Sequence, residues 1–323
     1  QIEHAAEVAE LSAKFELPVV TNILARGIIP ERNPKSLGHL GFMPHPSAVA
    51  ATTASHPQAA DLVISLGAEA DFESTVRTGG VPMQTVPHDQ VSEWLDKARS
   101  VAPVCMAERI GWIERLGELR ATKDVCRSCT TLGHDVLVND VASALGPSAI
   151  HVIDAGHFHL IAPGRITACR PRTVLTGTEL VSMGWSIGAA IGAKCAAPGS
   201  PVVAYVGDGS FLMHGLELTT AARFGIPVLF VVAKNGVYGT GRRGARTSSG
   251  DAAFLGPANP AAIARACGVE AREVRDRVGL REALDGAAAL RQPRVIVADV
   301  PETDQAADGL LTGVPWLDFG KKR

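Results

Sequence analysis

Asp208 sits between two glycines at the end of the apolar run PVVAYV, and Asn235 closes a second apolar run, VLFVVAK, 27 residues later. A helical stretch joins the runs, so the segment reads strand, Gly-Asp-Gly turn, helix, strand, Asn. If the two strands lie side by side in a parallel sheet, both oxygen-bearing side chains reach the same edge. A carboxylate and an amide oxygen there suit a hard cation such as Mg²⁺, which takes oxygen ligands and commonly keeps phosphate oxygens of a substrate or cofactor. Gly207 and Gly209 let the main chain approach a phosphate closely. A buried strand–helix–strand unit with a glycine-rich turn reads much the same from the triplet alone. The spacing, the flanking apolar runs and the terminal Asn favour the ligand site.

The elements that would position these residues alternate helix and strand along the whole chain. A helical face at three-to-four spacing runs from Ile2 to Phe15, followed by the strand LPVVTNIL and a Gly/Pro/Asn-rich stretch from Arg26 to Pro46. A helix from about Ser47, a strand over 60–69, a strand over Val81–Val86 and a helix over Gln90–Ala98 are expected next. A strand over Val101–Met106 and a helix over Glu108–Arg120 complete this set. After the polar junction at 121–132 come helix VLVNDVASAL, strand SAIHVIDAG, helix GTELVSMGWSIGAAIGAKCA, strand VVAYV, a helix and strand VLFVVA. A polar loop over 235–258, helices NPAAIARACG and GLREALDGAAAL, and strand RVIVADV follow. This alternation predicts two doubly wound α/β domains with parallel sheets, residues 1–121 and 122–323. The opening helix has neither a cap nor a preceding strand, which reads as a piece of a longer chain.

Composition sets the outer limits. With 323 residues, 46% apolar and 20% charged, and a net charge of −2, the chain reads as an ordinary globular protein of two domains. No basic patch points to nucleic acid and no long apolar run to a membrane. Six irregularly spaced cysteines do not form a secreted disulfide framework, so a cytoplasmic setting is expected.

The Gly-Asp-Gly triplet with 25 intervening residues and then Asn resembles the signature of the thiamine diphosphate enzymes. The chain as a whole resembles the last two thirds of the acetolactate-synthase-like members. Residues 1–121, with PVVTNILARGIIPERNPKSLGHLGF and ADLVISLGA, resemble their central domain; residues 122–323 resemble their diphosphate-binding domain. The resemblance implies that Asp208, Asn235 and the main-chain carbonyl of Val237 bind Mg²⁺. It implies that Gly207, Gly209, Ser210 and Phe211 present backbone N–H groups to the diphosphate, with Tyr238, Gly239 and Thr240 reaching it from the next loop. ELVSMGWSIGAAIGA resembles the family's helix entry, where Met183 would be the apolar wedge that bends the cofactor so that its own amino group meets the reactive carbon. The backbone at Val181 and Met183 would hold the pyrimidine. Gly156 and His157 in VIDAGHFHL match a polar turn near the diphosphate. Two departures stand out: Lys234 where the family often has a second Asn, and Val181 where it often has Gly.

By the same resemblance, cofactor-assisted addition to a 2-oxo acid and loss of CO₂ lead either to protonation (a decarboxylase) or to attack on an aldehyde or second oxo acid (a carboligase). Lyase chemistry and a non-catalytic subunit with the same fold are the competing expectations. The family's catalytic Glu belongs to an N-terminal pyrimidine-binding domain supplied across a dimer interface, so a homodimer, a homotetramer or a separate pyrimidine-domain chain is implied. FAD is not expected: the family's Arg-Phe-Asp-Asp run is replaced by the segment Glu69-Ala70-Asp71-Phe72-Glu73. Cys126 and Cys129 with His134 lack the second ligand pair of a structural zinc site, and the basic loop Arg242, Arg243, Arg246 reads as a solvated or interface-forming loop.

Overall fold

The computed structural model describes residues 2–41, 43–68, 70–104, 106–119, 131–240 and 254–302. It divides into two compact units, the first containing residues up to 119 together with Thr167–Thr173, the second the remainder. The expected boundary near 121, the Cys126/Cys129 pair and the basic loop at 242–246 lie outside the described residues.

The first unit contains α1 (Ala5–Phe15), β1 (Val19–Thr21), β2 (Ser36–His39), α2 (Pro46–Thr52), β3 (Val63–Leu66), α3 (Ala70–Thr78), β4 (Met83–Val86), α4 (Val91–Arg99) and α5 (Met106–Glu118). All strands are parallel but form two separate pairs, β1 with β2 and β3 with β4. One apolar cluster joins Leu11 of α1 to Val86, Val91 and Leu95; a second gathers Leu37, Leu40, Ala48, Ala51, Val76 and Leu116. Pro46 opens α2 at its first position, where its missing N–H costs nothing. Among the described residues of 101–106 the expected strand is not formed. Pro103 cannot donate to a ladder, Val101 and Val104 are exposed, and Met106 already opens α5. Conversely, β2 forms inside a stretch read as irregular.

In the same unit a buried clasp closes the loop after β1. Arg26 Nε and Nη2 donate to Glu31 Oε1 and Oε2 at 2.7 and 2.8 Å. Glu31 also exchanges bonds with the backbone of Ala168, its N–H giving to Ala168 O and its Oε2 accepting from Ala168 N. Gly27, at φ +80°, has the carbonyl of Arg170 2.2 Å from where a β-carbon would stand, so no other residue fits there.

The second unit is built on one six-stranded parallel sheet, in the order β6-β5-β7-β8-β10-β9. Its elements are α6 (His134–Leu145), β5 (Ile150–Ile153), α7 (His157–Ile161), β6 (Val174–Thr176), α8 (Trp185–Ala196), β7 (Val202–Gly207), α9 (Asp208–His214), α10 (Leu218–Arg223), β8 (Leu229–Lys234), α11 (Pro260–Ala266), β9 (Glu270–Val274), α12 (Arg277–Ala283) and β10 (Arg294–Asp299). The central strands are apolar runs because helices cover both faces: Val202–Val206 and Leu229–Ala233 are buried throughout. Val152, Ala204, Phe230, Val232 and Val297 pack on one face against Ile187, Ala190, Leu218 and Ala261. Helix starts are fixed by side chains: Asn259 Oδ1 accepts from Ala261 N and Ala262 N, and Asp276 caps Gly279 N. Between α6 and α12, Asp140 forms a bidentate pair with Arg277, at 2.6 and 2.7 Å. The expected helix over 177–196 starts only at Trp185, because Val181 and Gly184 both hold positive φ. No helix among the described residues is long and apolar enough to cross a membrane.

Candidate functional site

The order of the second sheet fixes where a ligand belongs. From β5 the chain moves to β6 on one side, then crosses back to β7 on the other, so the topological switch point lies between β5 and β7. Ligands of open parallel sheets bind beyond the carboxyl ends of the strands at that point. Here those ends carry Asp154, Gly156 and His157 after β5, Asp208 after β7 and Asn235 after β8.

β7 and β8 pair directly, with Gly207 opposite Ala233, which brings Asp208, one residue beyond the ladder, beside Asn235, two residues beyond it. Asp208 Oδ2 accepts from Asn235 N at 3.0 Å and Gly236 N at 2.7 Å; its Oδ1 accepts from Gly209 N at 2.9 Å. Asn235 Oδ1 accepts from Val237 N at 3.2 Å. Three of the N–H groups at this turn thus serve the Asp208 carboxylate, which remains able to accept more on Oδ1. Burial lifts the pKa of Asp208 above the ordinary carboxylate value, against the pull of the Gly236, Gly209 and Asn235 N–H groups. A cation bound beside it would oppose that penalty. Among the described residues no three His, Cys, Asp or Glu side chains gather to hold a metal. A cation at this edge therefore depends on Asp208 together with amide and main-chain oxygens, the donor set that suits Mg²⁺.

The other predicted residues surround this turn. A β-carbon on Gly209 would lie 2.5 Å from Tyr238 Cε1 and 3.5 Å from Met183 Cε, so Gly209, Tyr238 and Met183 meet at one spot. A β-carbon on Gly239 would lie 2.6 Å from His157 Cε1, and one on Gly156, at φ +93°, 4.0 Å from Thr240 Oγ1. Thr240 Oγ1 is buried with no hydrogen-bond partner among the described residues, as an oxygen awaiting a ligand would be. Val181 takes φ +48°, the left-handed region where the family's Gly would be unstrained. Ser210 is buried, and Phe211 is fully buried with its side chain in the apolar core, so it can serve the edge only through its backbone. Val237 is buried and bridges Phe254. A cavity of about 220 Å³ opens beside Asp208, lined also by Lys234, Gly236 and Asn259, with Lys234 Nζ 3.2 Å from Asp299 Oδ1.

One residue at this edge is absent from the sequence-based set. Asp154 is fully buried; its Oδ1 accepts from Gly184 N at 2.9 Å and its Oδ2 from Ser186 N at 2.8 Å. It thereby fixes the turn that presents Met183. The signal was in the sequence: VID ends an apolar strand in a carboxylate, as YVGD does. His159 bonds Thr176 Oγ1 at 2.9 Å; burial lowers its pKa, against the opposing charge of Asp154.

Two family models match this chain. Residues 2–94 match the central domain of thiamine pyrophosphate (diphosphate) enzymes, and residues 154–298 match their C-terminal TPP binding domain. The chain belongs to the thiamine pyrophosphate enzymes. It is 30% identical to the acetolactate synthase isozyme 1 large subunit of Escherichia coli K12 over 74% of this chain and 45% of that protein. An acetolactate synthase of Mycobacterium bovis is 30% identical over 75% of this chain and 42% of its own length. The acetolactate synthase large subunit of Pyropia yezoensis is 26% identical over 92% and 54%. The chain spans about half the length of the curated relatives it matches.

Proposed function

We propose that this chain is the central and diphosphate-binding part of a thiamine diphosphate- and Mg²⁺-dependent enzyme of acetolactate-synthase type. It acts on a 2-oxo acid and, after CO₂ is lost, joins the remaining carbons to an aldehyde or a second oxo acid. The single observation that carries this reading is the contact of the Asp208 carboxylate with the Asn235 turn at the tips of two paired parallel strands. The names of the relatives support the carboligase class.

In this reading Asp208, Asn235 and the Val237 carbonyl hold the ion, and Thr240 Oγ1 donates to the diphosphate. Gly156, His157, Gly207, Gly209, Ser210, Phe211, Tyr238 and Gly239 form the walls of that end of the site. When bound, thiamine diphosphate supplies an acidic carbon for addition to a carbonyl and an electron sink for the decarboxylation that follows. Met183 would pack against the bound cofactor, and Asp154, by bonding Gly184 N and Ser186 N, keeps Met183 in place. Val181 and Met183 offer main-chain groups to the pyrimidine ring. A partner subunit or chain would supply the pyrimidine-binding domain with its catalytic carboxylate, so the working form would be an oligomer, in a cytoplasmic setting.

Ligand-linked stability tests the site. At a hundredfold excess over Kd, thiamine diphosphate with Mg²⁺ stabilises the second unit by about 2.7 kcal/mol, read as a rise in Tm. Asp208→Ala should lose that rise; a rise that persists in the variant removes Asp208 from the ion site. Product analysis with pyruvate and an aldehyde, in the presence of the pyrimidine-binding partner, separates ligation from simple decarboxylation.

A further inference from the structure

Lys234 puts a positive charge one residue before Asn235, where an uncharged Asn is common in the family. It closes β8 opposite Asp299 of β10 in the ladder, and its main-chain carbonyl accepts from Val300 N at 3.0 Å. The side chain therefore leaves the sheet from a fixed point. It lines the cavity of about 220 Å³ beside Asp208. Among the described residues on that wall, Asp208 and Lys234 are the two that carry charge; Leu212, Pro257 and Asn259 are typical of the rest.

The neighbours of Lys234 do not cancel its charge. Its Nζ lies 3.2 Å from Asp299 Oδ1, but the other oxygen of that carboxylate lies 3.4 Å from Arg275 Nε, so one anion answers two cations. The Lys234 and Asp299 side chains are 36% and 44% exposed, and a pair as wet as this is weak. An ammonium on the wall of a part-enclosed cavity acts with opposite sign on the two components that this edge must collect. It repels a divalent cation approaching Asp208 and attracts a diphosphate. An Asn at the same position would do neither. Nor can Lys234 be an ion ligand itself, because an ammonium has three donors and no acceptor.

We propose that Lys234 selects how the site at Asp208 loads: it holds back a bare divalent cation and draws in diphosphate, so that ion and diphosphate enter as a pair. The inference rests on the cofactor reading given above and adds a specificity residue to it. One substitution should then move the affinities for cation and anion in opposite directions, which a merely structural role of Lys234 would not do.

The test titrates the two components separately on the full chain at low ionic strength, where charges are least screened. Mn²⁺ stands for Mg²⁺, since both suit carboxylate, carbonyl and water oxygens, and its free concentration is read by electron paramagnetic resonance. Inorganic pyrophosphate, with divalent ions removed, is titrated by calorimetry. Lys234→Gln should bind Mn²⁺ about fivefold more tightly and pyrophosphate about fivefold more weakly than the parent. Lys234→Arg keeps the charge and should match the parent on both. Arg275→Gln removes an equal charge that is absent from the described cavity wall and 85% exposed, and should move either affinity by less than about twofold. Affinities that shift in the same direction or stay put in Lys234→Gln, with native circular dichroism, would overturn the proposal. So would an Arg275→Gln effect as large as that of Lys234→Gln. Asp208→Ala distinguishes the two levels: Mn²⁺ binding that survives it unchanged puts the ion elsewhere, and the cofactor reading fails together with this inference.

Discussion

Val181 carries a cost that the Asp208 turn does not. A β-branched residue at φ +48° is strained, and it stands next to the Met183 turn that the site needs. Val181→Gly should raise stability by about 1 kcal/mol in urea unfolding, the left-handed strain outweighing the extra freedom of the unfolded glycine. Asp154 predicts the opposite sign. Asp154→Asn keeps one acceptor and turns an N–H₂ toward a buried N–H, which should cost about 1.5–3 kcal/mol. By loosening the Met183 turn it should also weaken thiamine diphosphate binding about tenfold by calorimetry; unchanged affinity would make Asp154 a purely structural cap. At this scale the chemistry was legible where an apolar run stops in a polar residue, as at Asp208 and Asn235. What could not be read was direction: the sequence does not say that three backbone N–H groups converge on Asp208, or that Phe211 turns into the core.

Among the elements, the interior strands were readable and the marginal ones were not. VVAYV and VLFVVA announce themselves because both faces are buried. β9 is an edge strand whose exposed Glu270 and Arg272 mask its period, and β6 is three residues long. β2 is short, with Gly38 at φ +81° and a fully buried His39, so neither apolar period nor propensity marks it. The apolar letters of Val101–Met106 misled because pattern alone does not see that Pro103 forbids a ladder. The Asp140–Arg277 pair was equally invisible, joining α6 to α12 across 137 residues. Burial pushes the Asp140 pKa up, but the bonds from Arg277 and Asn139 and the nearby arginine charges win, and it ends lowered. Its stabilisation is therefore present above the unfolded value of about 3.9 and is lost as pH falls through the folded value. Asp140→Asn should cost about 3–5 kcal/mol at pH 7 by removing the negative charge that balances the buried Arg277 guanidinium. The gap between the two proteins should narrow as acid protonates Asp140 in the parent; a gap constant from pH 7 to 2 would contradict the assignment.

For the molecule as a whole, two units with separate cores predict more than one unfolding transition. Thiamine diphosphate with Mg²⁺ should shift only the one that reports on the six-stranded sheet, with exchange protection confined to described residues of 131–166 and 174–302. Protection spreading equally into residues 5–119 would count against a site built at the β5, β7 and β8 tips.

Thr167–Thr173 belongs with the first unit, although the chain on either side of it belongs to the second. A recombination event with one crossover in the linker would import Gly27 and Glu31 while keeping the resident Arg170 and Ala168. Chimaeras between relatives should express poorly unless this seven-residue thread is exchanged as well.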